Sequence, residues 1–218
     1  MAEAAKKKEK KVFLLPEGRL INESLFEKDA YTDAQGRAGT PMYKVEMAFD
    51  PASVTGEGTF EDNLADAAAD AWGDAWFDRF FDGDVKSPFL SGDKLAQKRA
   101  DKGKEGDAYK GKLVLRSSTI YNLNGQDAPG GIQVWDENVQ PIGMANRSVI
   151  YPGMYGVLAV TIHPYLTNEG DKALKCYLEA FQRTRDGEKL VASKDSSKLF
   201  KPVGRDTGAS EGRRSRRG

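Results

Sequence analysis

The sequence predicts a mainly β fold, and three observations carry that expectation. Short segments in which apolar and polar residues alternate recur along the chain, the period-two pattern of a half-buried strand. Turn formers separate them, among them Gly36-Arg37-Ala38-Gly39-Thr40-Pro41, Asp50-Pro51, Asn124-Gly125, Pro129-Gly130-Gly131 and Asp186-Gly187. Only one long stretch, about residues 61 to 81, has the three- and four-residue spacing of an amphipathic helix.

Taken in order, Met1–Lys11 has almost nothing apolar to bury and is expected to be a disordered basic arm, either a solvated tail or an auxiliary phosphate contact. A first strand region runs from Val12 to Phe26, with a turn at Glu17-Gly18. Met42–Phe49 sets Tyr43, Val45, Met47 and Phe49 against Lys44 and Glu46, a half-buried strand. A helix follows from near Glu61, with Leu64, Ala68, Ala71, Trp72, Ala75, Trp76, Phe77 and Phe80 on one wide apolar face. Beside that face Asp62, Asp66, Asp70, Asp74 and Asp78 recur every fourth residue. Like charges one turn apart repel by a few tenths of a kcal/mol per pair, so the stripe reads either as a solvated face or as a partner-binding or DNA-excluding surface. Ligands strung along a helix do not converge on a metal.

Asp82–Lys112 is a glycine-punctuated polar segment in which Lys94–Lys104 suits a short basic helix. It is expected either to touch backbone phosphates or to be a solvated loop. Strands are expected at Lys112–Ile120 and Ile132–Asp136, separated by turn-rich Tyr121–Gly131; Trp135 reads as a stacking residue or a core filler. Two longer arms follow. Tyr155–His163 is apolar on both faces, as in a central strand. Lys172–Arg183 puts Leu174, Cys176, Leu178 and Ala180 on one side and Lys175, Tyr177, Glu179, Phe181 and Arg183 on the other. The loop between them, Pro164–Asp171, holds Tyr165. From Ser193 onward Ser, Lys, Gly and Arg dominate, and Arg213–Arg217 is expected to be disordered.

At 218 residues the chain is long enough to bury a core, and its 39% hydrophobic and 30% charged content suits a globular protein with polar appendages. No apolar run is long enough for a membrane span. The apolar stretch after the basic start is too short for a signal-peptide core, so the expected compartment is the cytoplasm. Cys176 has no partner for an internal disulfide and reads as a small core residue. No phosphate-binding glycine loop, no Cys or His metal spacing and no nucleophile motif is present, so neither a cofactor, a metal nor an enzymatic activity is expected. The single histidine, His163, reads as structural rather than as a general base. Net charge is zero but segregated. Residues 1–11 carry five Lys against two Glu, residues 85–116 nine cations against four acids, residues 194–218 eight against three, and residues 57–84 nine acids against one Arg. Such segregation gives a neutral chain a basic surface.

A strand face that interleaves rings with cations suits single-stranded nucleic acid, whose bases stack while its phosphates take Lys and Arg. On this reading Tyr177 and Phe181, with Trp135 and Tyr165, stack on bases, and Lys112, Arg116, Lys175 and Arg183 neutralise phosphates.

The order of Gly18-Arg19-Leu20, Lys44-Val45, Asp82-Gly83-Asp84 before Pro88-Phe89, Tyr109-Lys110-Gly111-Lys112, Tyr151-Pro152-Gly153-Met154-Tyr155, Asn168-Glu169-Gly170 and Phe181-Gln182 before Asp186-Gly187 resembles the phage-encoded single-stranded DNA-binding proteins with a compact OB-fold, over about residues 12–192. The resemblance implies a Greek-key barrel of about five strands with an inserted helix (about 61–81) and a basic loop (about 82–111), flanked by the arms 1–11 and 193–218. It also implies non-sequence-specific coating of single-stranded DNA during phage replication or recombination. Short-tailed-phage members end in an acidic tail that recruits replication proteins, whereas this chain ends in Arg213–Arg217. The acidic helix Asp62–Asp78 is the candidate substitute for contacting phage or host replication proteins. Two other readings stay open: a phage structural or adaptor β-domain with an aromatic protein interface, and an RNA-binding OB domain.

Overall fold

The computed structural model describes residues 11–30, 36–120 and 132–190. The expected arms 1–11 (all but Lys11) and 193–218, and the turn-rich 121–131, therefore lie outside the described residues. The strands are β1 (Phe13–Leu14), β2 (Gly18–Asp29), β3 (Met42–Phe49), β4 (Phe89–Ser91), β5 (Leu113–Thr119), β6 (Gln133–Trp135), β7 (Tyr155–Leu166) and β8 (Lys172–Arg185). The helices are α1 (Pro51–Val54), α2 (Phe60–Trp72), α3 (Trp76–Phe81) and α4 (Gly92–Ala100), with 3-10 turns at Asp107–Tyr109 and Met144–Val149. The class is mainly β as expected, but among the described residues the strands number eight rather than about five.

Five long strands make the barrel, in the order β5-β3-β2-β7-β8, with β4 beyond β5 and β6 beyond β8. This order, closed between its two ends, is the strand circuit of a partly open Greek-key barrel. Closure uses single contacts instead of a ladder. The Ser117 hydroxyl donates to the Cys176 carbonyl at 2.8 Å. Lys86, just before β4, exchanges backbone bonds with Lys172 and Leu174 of β8, and β4 pairs antiparallel with β5. The interior is apolar, with Leu20, Leu25, Met47, Phe49, Leu115, Leu158, Leu178 and Phe181 nearly inaccessible. Cys176 sits among them, and burial pushes its thiol up to about 12.

The expected single acidic helix is two helices. Gly73 adopts φ 101° and its N–H closes α2 on Ala69, so Asp74 falls in the turn between the helices and Asp78 in α3, and no one helical stripe runs through all five Asp. Thr59 caps α2 through the Glu61 N–H. Phe60 packs edge-on against Phe13 and Phe89, seating the helix under the barrel. Trp72 and Trp76 pack together at 6.0 Å, and the Lys172 ammonium lies 3.9 Å from the Trp76 ring, tying α2 and α3 to the start of β8. A Lys86 ion pair with Asp171 at 2.7 Å pins the β7–β8 turn to the same insertion.

Residues around Gly18-Arg19, Tyr151–Tyr155 and Asp186-Gly187 build the other end of the barrel. Arg19 donates to the Gly153 and Glu188 carbonyls, and the Tyr151 hydroxyl donates to Asp186 at 2.8 Å. Gly153 has φ 112°, and a methyl group there would meet the Glu188 carbonyl oxygen at 1.9 Å. Glu17 accepts from Arg185 and Thr184.

Candidate nucleic-acid interface

Cross-strand register decides which side chains share the outer surface. Asn22 pairs with Glu46 and Ser24 with Lys44 across β2–β3; Lys44 pairs with Ser118 and Glu46 with Arg116 across β3–β5. These residues floor an open groove of about 950 Å³ whose far wall includes Glu27, Lys28, Asp29 and Arg147. Three of its four cations are engaged by acids, Lys44 with Asp29 at 3.1 Å, Arg116 with Glu46 at 2.9 Å and Arg147 with Glu27 at 2.9 Å, and the fourth, Lys28, lies over the Tyr43 ring, 5.5 Å from its centre. A second hollow, lined by Arg99, Lys104 and Tyr109, shares Asn22 and Glu46 with the first and prolongs it towards α4.

The Ser117–Cys176 bond draws β5 to β8, so Arg116 and Ser118 on one strand and Lys175 and Tyr177 on the other continue the same outer surface. On β7, Thr161 pairs with Tyr177, His163 with Lys175 and Tyr165 with Ala173. The Lys175 ammonium sits 4.9 Å from the Tyr177 ring centre, the His163 ring lies 5.5 Å from it, and Tyr165 is 40% exposed. Two rings and a cation expected from the sequence therefore meet on one hairpin face. His163 joins them, exposed on the outer face. Its alternation with Tyr165, opposite Lys175, was the signal that could have found it.

The remaining expected site residues lie elsewhere. Phe181 is fully buried in the core, which corrects its placement on the stacking face. Ala159 pairs with Ala180 and Val160 with Leu178, so Glu179 is an extra, bulged residue. A bulge shifts the alternation by one and turns every later side chain to the opposite face. Glu179 itself is buried and accepts from the Thr161 hydroxyl at 3.0 Å. Arg183, beyond the bulge, is bound to Glu137 and Asp186. Lys112 is paired with Asp50, at the far end of β5 from Ser117. Trp135, half-buried on β6, lies beside Gln182, away from Tyr177. Of the eight, Arg116, Tyr165, Lys175 and Tyr177 are brought onto one surface; Lys112, Trp135, Phe181 and Arg183 are not.

Among the described residues no group of three His, Cys, Asp or Glu side chains is placed to hold a metal ion, and no helix is long and apolar enough to cross a membrane.

The family model described as "Enterobacter phage Enc34, ssDNA-binding protein" matches residues 14–211. Among solved structures, the chain is similar to the single-stranded DNA-binding protein from bacteriophage Enc34 in complex with ssDNA, at 12% identity and a TM-score of 0.50, covering 83% of this chain and 89% of that one. It is also similar to gp2.5, a single-stranded DNA-binding protein encoded by bacteriophage T7, at 13% identity and a TM-score of 0.50, covering 89% and 97%. At these identities the two structural likenesses speak for the fold. No curated protein matches the chain by sequence.

Proposed function

Because this chain belongs to the Enterobacter phage Enc34 single-stranded DNA-binding protein family, we propose that it binds single-stranded DNA without strong sequence preference and coats it during phage replication or recombination. The family match over residues 14–211 is the observation that carries this reading. The geometry supports it with a groove across β2, β3 and β5 that continues onto an aromatic and cationic hairpin face, the surface by which OB barrels take oligonucleotides.

In the proposed mechanism one barrel domain, about residues 12–192, does the binding. Tyr177, Tyr165 and His163 offer ring faces to bases, while Lys175 and Arg116 meet phosphates. Lys175 already lies over the Tyr177 ring, so an incoming base takes the open side of that ring and a phosphate the ammonium. The protein acts by binding rather than by catalysis, in the host cytoplasm. Contact with phage or host replication proteins is assigned to the exposed acids Asp66, Asp70, Asp74 and Asp78 of α2, α3 and the turn between them. A pulldown left unchanged by their conversion to Asn would remove that assignment.

The test of function is a mobility-shift comparison of single-stranded DNA, duplex DNA and RNA of equal length. Single-stranded DNA is expected to bind far more tightly than the duplex. Equal binding to all three would refute the reading, and a preference for ribose oligomers would favour an RNA-binding barrel through the 2′-hydroxyl.

A further inference from the structure

We infer that, of these two surfaces of the barrel domain, the α4 arm supplies more of the salt-dependent attraction for a polynucleotide than the groove does, through Lys94, Lys98, Lys102 and Lys104. The inference rests on the single-stranded DNA reading and goes past it by dividing the binding energy between two surfaces.

The groove cations are a poor source of that attraction. Lys44, Arg116 and Arg147 each already hold a carboxylate, and Lys28 is drawn over the Tyr43 ring. A phosphate arriving there must displace Asp29, Glu46 or Glu27, and the displaced acid remains nearby. Little counterion is released, and counterion release is what makes affinity fall with salt.

The α4 arm is arranged the opposite way. Three of its four acids are engaged by groups other than these four lysines: Asp93 accepts from the Gly111 N–H at 2.8 Å, Asp101 from the Gln97 side-chain amide at 2.8 Å, and Asp107 pairs with Lys110 at 2.7 Å; the fourth, Glu105, lines the hollow beside Lys104 without an ion pair to it among the described residues. Among the described residues, Lys94, Lys98, Lys102 and Lys104 are left with no carboxylate partner. All four are exposed. Lys94 and Lys98 stand one turn apart on α4, roughly 6 Å along its axis, and Lys104 lines the hollow that prolongs the groove.

The arm is also fixed in place. A methyl group on Gly92 would meet the Tyr109 carbonyl oxygen at 2.0 Å, and one on Gly106 would meet the Ala96 backbone at 2.9 Å. Ala96 and Tyr109 are buried with Ile21, Ala48 and Val114 in a second small core. The Arg99 guanidinium caps that core, 5.2 Å from the Tyr109 ring, and donates to the Glu105 carbonyl. Four exposed ammonium groups without a carboxylate partner among the described residues are thus carried on a docked segment, and one of them, Lys104, lines the hollow that continues the groove.

The experiment is a fluorescence titration of oligo-dT between 50 and 200 mM salt with the full chain. Converting all four lysines to alanine is expected to lower the slope of log affinity against log salt by about 2.8, four contacts at about 0.7 each. Across that fourfold salt range, the variant then loses about 50-fold less affinity than the wild type. The matching four-arginine variant is expected to keep the slope. Glu46→Gln, which frees Arg116, is expected to raise it by about 0.7. A folded four-alanine variant whose slope stays within about 0.7 of wild type would overturn the division of labour while leaving the function standing. A wild-type chain that fails to bind oligo-dT at the lowest salt would overturn the function itself.

Discussion

Phe181→Ala separates a core ring from a base-contacting one. The side chain is fully buried, and its ring lies across Gly156, where an added methyl group would meet Phe181 Cζ at 2.5 Å. An aromatic side chain buries about 150–250 Å², worth about 4–6 kcal/mol at about 25 cal/mol per Å². Alanine keeps a small share of this, and Gly156 has no side chain with which to refill the space. The expected loss of stability is therefore about 3–5 kcal/mol. For a domain of this size that lowers Tm by about 6–20 °C. Thermal unfolding followed by circular dichroism measures the first quantity, and oligo-dT titration well below Tm measures affinity, which is expected to change by less than about twofold. Tyr177→Ala is the mirror case: about 1–3 kcal/mol of binding with stability within about 0.5 kcal/mol. A Phe181→Ala chain that keeps its Tm and loses affinity would place the ring outside and refute the bulge argument.

Gly153→Ala forces a β-carbon into the Glu188 carbonyl at a positive φ, and is expected to cost more than about 1 kcal/mol, read as a lower urea midpoint with an unchanged m-value. The same end of the barrel sets the response to acid. Hydrogen bonds from Arg183 and then Tyr151 hold the Asp186 carboxyl below its ordinary 3.8, and Arg185 and then Thr184 hold Glu17 below its ordinary 4.5. Lowered folded values contribute stability that is complete above the ordinary ones and is lost as pH falls through the lowered ones. Tm is therefore expected to drop on acidification below about pH 4, and Glu17→Gln with Asp186→Asn to flatten that drop; an unchanged slope would refute the clamp.

How far the sequence could be read depends on what each feature needs. Met42–Phe49 came out with its observed bounds because its alternation is sharp and uninterrupted. The ring-and-cation hairpin was legible for Lys175 and Tyr177, then failed at Phe181, since nothing in the alternation marks Glu179 as a bulge. Gly73 within the acidic run was a visible breaker, yet helical spacing carried the reading through it. The pairing of Arg116 with Glu46 needs the β3–β5 register, seventy positions apart in sequence. The engagement of Asp93 by Gly111 needs the fold of the whole arm. Composition marked the arm as basic but was blind to which charges remain available.

Between β5 and β8 the cylinder lacks a continuous ladder, and its two margins are joined by the Ser117 hydroxyl and by a segment borrowed from the insertion. Such a seam is where the wall should breathe first, because few bonds must break there together. Amides of β8 facing it are poised to exchange with solvent ahead of those shared with β7. Opening along that line would also part Arg116 from Tyr177, so the wall's weakest join runs beneath the surface assigned to the polynucleotide.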